Sequence, residues 1–302
     1  MSKLDKVAYR CGYVAIIGRP NVGKSTLLNH ILGIKLSITS RKPQTTRHQI
    51  LGIKTDEHLQ AIYVDTPGLH QRRGSAINKY MNRAAASVMV DVDMLLFVVE
   101  ALEWTDEDEA VLQRLESIKL PVILIVNKVD QVADKEALLP FLSKVSSKFN
   151  FHQVIPAAAV KGLSVDQVEQ SVASLLPESE AIYPEDQLTN RSMRFLAAEI
   201  IREKLVRELG QELPYTSTVV IDKYDEDADL IRIHATIFVE TKGQKAIIIG
   251  RKGERMKSIG SKARKDIETL SEVKVYLNLW VKVREGWSND EQALRGLGYG
   301  EE

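Results

Sequence analysis

Residues Gly18-Arg19-Pro20-Asn21-Val22-Gly23-Lys24-Ser25 form a GxxxxGKS loop between the apolar run Tyr13 to Ile17 and a helical stretch, Lys24 to Leu32, that is closed by Gly33. This strand–loop–helix order constrains the fold more than any other feature of the chain. The glycines let successive backbone N–H groups point inward at a polyphosphate, and the helix N-terminus adds a favourable dipole. Lys24 is placed to reach the β- and γ-phosphates, while Ser25, followed by Thr26, offers a hydroxyl to Mg²⁺.

Two further motifs follow in order. Asp65-Thr66-Pro67-Gly68 ends the apolar run Ala61 to Val64. Its carboxylate is suited to hold a water on Mg²⁺, and the Gly68 amide to meet a γ-phosphate, so the loop after it would sense that phosphate. Asn127-Lys128-Val129-Asp130 ends a second apolar run. A carboxylate at Asp130 can accept from both the ring N–H and the exocyclic amine of guanine, which selects GTP over ATP. Between the first two motifs, Gln44-Thr45-Thr46-Arg47-His48 is the candidate first switch, with Thr46 preferred over Thr45 as a Mg²⁺ ligand. After Gln153 to Ile155, the stretch Pro156 to Gly162 is placed to offer a backbone amide, at Ala158 or Ala159, to the guanine O6.

Strands alternate with helices to about residue 176, and the runs Leu95 to Val99 and Val122 to Val126 lack polar alternation. That pattern predicts an α/β domain whose mostly parallel sheet is covered by helices on both faces. Ile77, Met81, Ala84 and Val88 recur at helical spacing between them, and Val165 to Leu176 reads as the last helix. The proline- and acid-rich stretch that follows reads as a linker, giving domains over 1–178 and 191–302 joined by 179–190.

The C-terminal part changes character. Phe195, Ala198, Ile201, Leu205 and Leu209 mark a helix face that stops at Gly210, and Thr218 to Tyr224 and Leu230 to Thr241 read as paired strands. Next come Lys245 to Gly253, a helix with Met256, Ile259, Ala263, Ile267 and Leu270 inward, and a strand from Val273 to about Val283. The order αββααβ, with Gly250-Arg251-Lys252-Gly253 joining the middle helices, is that of an α+β type II KH domain. Its glycines allow backbone to lie against a phosphodiester, Arg251, Lys252 and Arg255 supply charge, and Ile247, Ile248 and Ile249 wall a groove for single-stranded RNA. Lysines and arginines exceed acids by six between Thr241 and Leu270, on a chain of 302 residues whose formal net charge is zero.

GRPNVGKS, QTTRH, DTPGL and NKVD, in this order and followed by a KH domain, resemble the Era family within the TrmE–Era–EngA group of bacterial GTPases. The resemblance covers essentially the whole chain. It implies a Mg²⁺-dependent GTP-hydrolysing switch, monomeric, that binds the 3′ end of 16S ribosomal RNA and serves assembly of the 30S subunit. Two positions depart from expectation. Ala158 replaces the usual serine of the base loop, removing a hydroxyl that braces the Asp130 loop. Leu69 stands where Ras-type enzymes carry the glutamine that orients water, so Asn21 is the candidate to recruit K⁺ beside the phosphates, with Lys24, Thr46 and Gly68 completing the catalytic set.

A lone cysteine, Cys11, predicts a reducing compartment without disulfides, and no apolar run approaches the ~20 residues of a membrane span. With no signal-peptide core at the N-terminus, the expectation is a cytoplasmic protein, with peripheral attachment to the inner membrane face left open. The rival reading is a signalling GTPase whose second domain binds a protein or an anionic lipid surface. A tRNA-modification GTPase of the same group is disfavoured by the lack of a folate-type domain and a cysteine-containing C-terminus.

Overall fold

The computed structural model describes residues 8–40, 45–68, 76–87, 91–209 and 216–299; the predicted Gln44, Leu69, Val88 and Gly210 lie outside them. The chain divides into two compact units, one of residues 1–37, 46–71 and 81–190, the other of 38–45, 72–80 and 191–302.

In chain order, the first unit carries β1 (Arg10–Ile17), α1 (Lys24–Leu32), β2 (Ile50–Asp56) and β3 (Leu59–Asp65). After α2 (Ala76–Ser87), which the division crosses, come β4 (Met94–Glu100), α3 (Asp106–Leu115), β5 (Val122–Asn127), α4 (Leu138–Ser146), β6 (Gln153–Pro156) and α5 (Val165–Leu175). The strands form one sheet in the order β2-β3-β1-β4-β5-β6, antiparallel only between β2 and β3. The unbroken apolar runs have a direct cause. Leu95, Phe97, Leu124 and Val126 pack on one face with Val111, Leu112 and Leu115 of α3, while Leu96, Val98, Ile123 and Ile125 pack on the other with Leu27 and Leu28 of α1 and Val168 of α5. With both faces dry, neither parity tolerates a polar residue. The sequence reading lacked β2, α3 and α4.

Residues 177–190 lie along the first unit. The Gln60 side chain accepts from the Ile182 and Tyr183 amides and donates to the Tyr183 carbonyl, and the Ile53 amide donates to the Leu188 carbonyl.

The second unit contains α6 (Met193–Glu208), β7 (Ser217–Glu226), β8 (Leu230–Val239), α7 (Lys242–Ile249), α8 (Glu254–Ser271), β9 (Lys274–Val283) and α9 (Glu291–Gly296). Its sheet runs β7-β8-β9, antiparallel then parallel. Ile201 and Leu205 of α6 and Ile259, Ala263 and Ile267 of α8 cover one sheet face, over Ile233, Ile237 and Leu279. Helix α6 also buries Glu199, Arg202, Glu203 and Lys204. Arg202 is held by Glu199 and Lys204 by Glu203 and Asp266, as buried charges require.

Candidate nucleotide site and RNA-facing loop

The phosphate loop and the loops after Asp65, Asn127 and Pro156 leave the C-terminal ends of β1, β3, β5 and β6, the edge where open α/β sheets bind ligands, and Thr46 precedes the antiparallel β2, whose Ile50 pairs with Asp65. Gly18 (φ +145°) and Gly23 (φ +105°) take left-handed backbone, and neither has room for a Cβ: one would meet the Val98 carbonyl oxygen at 2.3 Å, the other Asn127 Nδ2 at 2.2 Å. Asn21 shares that region at φ +66°, which asparagine tolerates. Gly68 is small for another reason, since its Cβ would lie 2.8–3.0 Å from Pro20. The second motif thus closes directly on the phosphate loop, tied further by a bond from Thr66 Oγ1 to the Ile16 carbonyl at 3.0 Å.

Lys24 folds back over the loop, donating to the Gly18 and Arg19 carbonyls at 2.9 Å each. Burial lowers its pKa to about 8, against the opposing pull of the Asp65 carboxylate. Beside it, Ser25 Oγ lies 2.7 Å from Asp65 Oδ2 and 2.9 Å from Thr46 Oγ1. Thr45, the alternative ligand, turns its hydroxyl to Ser40. Ser37, which sequence reasoning missed, donates to the same Asp65 oxygen at 2.7 Å. Asp65 is fully buried, its pKa raised by desolvation, and its Oδ1 lacks a hydrogen-bond partner among the described residues. Three convergent oxygens with an orphaned buried carboxylate atom fit a small hard cation.

Asn127 joins three loops. Its Nδ2 donates to the Val22 carbonyl at 2.7 Å, and its Oδ1 accepts from the Ala159 amide at 2.9 Å. Asn127 thus ties the base loop to the phosphate loop through backbone groups, while the Ala158 amide donates to the Leu163 carbonyl. Asp130 lies in a short turn with Lys161 Nζ at 3.6 Å. Lys128 (φ +65°) reaches back to Glu100 at 2.6 Å.

A carboxylate cluster behind the phosphate loop went unpredicted. Arg19 pairs with Glu103 at 2.7 Å and with the fully buried Asp108 at 3.1 Å, and lies 3.5 Å from Glu100. Asp108 also caps α3 reciprocally with Thr105, so one side chain starts that helix and anchors the loop. The available signal was the Thr105-Asp106-Glu107-Asp108 run, a capping box.

In the second unit, Gly250 (φ +73°) ends α7 and Gly253 (φ +79°) starts α8, with Lys252 between them also at positive φ (+51°). A Cβ on Gly250 would strike Arg255 Cβ at 2.7 Å. Arg251 and Lys252 are exposed, while Arg255 donates to the Ile247 carbonyl at 2.6 Å and so closes the end of α7. Of the expected groove wall, Ile247 is exposed and Ile249 half-buried, but Ile248 is wholly buried in the core and corrects that reading. The reason is helical geometry: consecutive residues of α7 point about 100° apart, so three cannot share a face.

Comparison with known proteins follows the same division. The family model described as a 50S ribosome-binding GTPase matches residues 13–128, and the KH domain model matches 212–288. The GTPase Era of Ectopseudomonas mendocina is 58% identical over 98% of this chain and 99% of its own, and that of Pseudomonas putida is 56% identical over 100% of both. Among solved structures, Aquifex aeolicus Era bound to GDP·AlF4⁻ superposes with a TM-score of 0.93 at 36% identity, over 97% of this chain and 100% of the other. An Era complex with MgGDPNP and nucleotides 1506–1542 of 16S ribosomal RNA gives the same values. Among the described residues no helix is long and apolar enough to cross a membrane. With a P-loop GTPase fold, a C-terminal KH domain and full-length relatives of the same order, the chain belongs to the Era family of GTPases.

Proposed function

We propose that the chain binds Mg²⁺·GTP in the first unit, hydrolyses it, and couples the nucleotide state to binding of small-subunit ribosomal RNA, near its 3′ end, by the KH domain during 30S assembly. In this reading residues 1–178 form the G domain and 191–302 the RNA-binding domain. The observation that carries it is the convergence of Ser25, Thr46 and Asp65 at the mouth of the phosphate loop. Ser25, Thr46 and Asp65 would hold Mg²⁺ there, and the ion would supply positive charge against the charge that develops on the β- and γ-phosphates. Lys24, released from the loop carbonyls, pairs with the same oxygens, and the amides of residues 18–24 supply preorganised donors. Gly68 meets the γ-phosphate and Asp130 the guanine edge. Asn21 is the proposed K⁺ ligand, and the ion would supply positive charge where other GTPases place an arginine. The RNA half is supported by the exposed Arg251 and Lys252 on a loop bounded by two positive-φ glycines, and by the relative that holds nucleotides 1506–1542.

Thr46→Ala tests the switch. A γ-phosphate-dependent ligand predicts weaker binding of a non-hydrolysable GTP analogue and slower hydrolysis, with GDP affinity within about twofold of the parent. Equal losses for GDP and the analogue contradict the role. Arg251→Asp with Lys252→Asp tests the RNA half by loss of binding to RNA of nucleotides 1506–1542.

A further inference from the structure

The sheet of the second unit has a face that the RNA-facing loop does not account for. On the side away from α6 and α8, part of it is roofed: Trp287, Leu294 and Tyr299 pack over Val220 and Phe238, with Thr218 and Tyr299 hydroxyls 2.9 Å apart. The other part is open. Along β9, outward residues read Lys274, Tyr276, Asn278, Trp280, Lys282, while Val275, Leu279 and Val281 point into the core. Tyr276 and Trp280 are both exposed, at 51% and 44%. His234 of β8 lies between them, its ring stacked on Trp280 at 5.5 Å and 16° and tilted against Tyr276 at 6.1 Å.

We propose that this open row is a second single-stranded RNA surface, on which bases stack against Trp280, Tyr276 and His234 while Lys274 and Lys282 meet phosphates. The proposal rests on the KH domain's being an RNA-binding domain and extends the contact beyond the Gly250–Gly253 loop. Large rings left in water are an expense unless something covers them, and every base has a face to offer them whatever its identity. Charge selects the occupant. Lys274 and Lys282, at either end of a row about 27 Å long, form no ion pair among the described residues, and the row holds no acid. Of the neighbouring acids, Asp225 and Asp227 are taken by Lys223 and Arg232, and Asp222 accepts from the Thr236 hydroxyl at 2.7 Å. A basic peptide would find two unpaired cations facing it, whereas a phosphodiester finds partners. Helix α7, which ends at Gly250, packs on the same strand from its core side, through Ile248.

The test uses the full chain and RNA of nucleotides 1506–1542. Trp280→Ala should weaken RNA binding about 5- to 150-fold, as loss of one stacked base predicts. Trp280→Phe should keep most of the affinity, GTP affinity should not change, and the melting temperature should hold because the side chain is on the surface. The emission lost in Trp280→Phe isolates this indole, and RNA should shield it from iodide. Undiminished affinity in Trp280→Ala, with an indole still open to iodide in the complex, overturns the proposal. In that case, loss of binding in Arg251→Asp/Lys252→Asp leaves the KH reading standing, and its retention removes both. Shielding by a lysine- and arginine-rich peptide but not by RNA would also overturn it and assign the face to a protein.

Discussion

Replacing Asn127 with alanine should damage the site more than a substitution remote from both phosphate and metal would suggest. The side chain is 3% exposed and makes two bonds at once, to the Val22 carbonyl at 2.7 Å and from the Ala159 amide at 2.9 Å. Truncation orphans both partners, at about 1–3 kcal/mol each, so the loops lose about 2–6 kcal/mol of organisation. A nucleotide must restore that order on binding. Even the lower figure corresponds to a roughly 30-fold loss of affinity. Because the bonds lie outside the γ-phosphate contacts, GDP and a GTP analogue should lose equally. Fluorescent-nucleotide titration reads the affinity, and hydrogen exchange over residues 153–163 reads the freed Ala159 amide. Asn127→Asp keeps the acceptor for Ala159 but turns an anionic oxygen toward the Val22 carbonyl, so it should preserve the amide's protection and still bind poorly. Affinity within threefold of the parent in Asn127→Ala, with exchange unchanged, refutes the reasoning.

Asp130→Asn should bind xanthosine triphosphate in place of GTP, a swing of roughly 10⁴-fold if the site is built on paired bonds to the base edge; equal binding of ATP and GTP by the parent would contradict the assignment. Hydrolysis should run faster in KCl than in NaCl at equal ionic strength, and Asn21→Ala should erase the difference; identical parent rates in both salts exclude the potassium role. Lys24 carries a pKa lowered to about 8, and phosphate anions raise it again. Binding therefore takes up a proton above pH 8, and GTP affinity in saturating Mg²⁺ should fall between pH 8 and 9. Calorimetry in buffers of different ionisation enthalpy reads that proton, and its absence would mean that Lys24 stays charged in the free protein.

The phosphate loop was legible because its chemistry depends on backbone conformations that few residues adopt, so glycine positions stand in for geometry at Gly18 and Gly23. Strands β4 and β5 were legible because burial on both faces removes polar residues of either parity. Strand β2 was not: it is an edge strand with Lys54, Thr55 and Asp56 at one end, and its place depends on pairing with β3. Helix α6 shows a different limit. Ile201, Leu205 and Leu209 announced one face, yet Glu199, Arg202, Glu203 and Lys204 are buried too, and Lys204 finds Asp266 sixty-two residues away. Polar residues read as solvent-facing until such partners are known. Gln60 and residues 182–183, Arg19 and Asp108, and Ser37 and Asp65 are missed for the same reason: each bond joins positions far apart in sequence, and periodicity carries no information about it.

The most direct test of the account measures affinity for RNA of nucleotides 1506–1542 with the chain loaded with GDP and then with a non-hydrolysable GTP analogue. A nucleotide-governed RNA switch predicts tighter RNA binding in the analogue state, by about 5- to 150-fold for a coupling of ordinary size. RNA must then raise the affinity for the analogue, relative to GDP, by the same factor. Identical RNA affinities in the two states would contradict the switch even if the chain hydrolyses GTP and binds RNA.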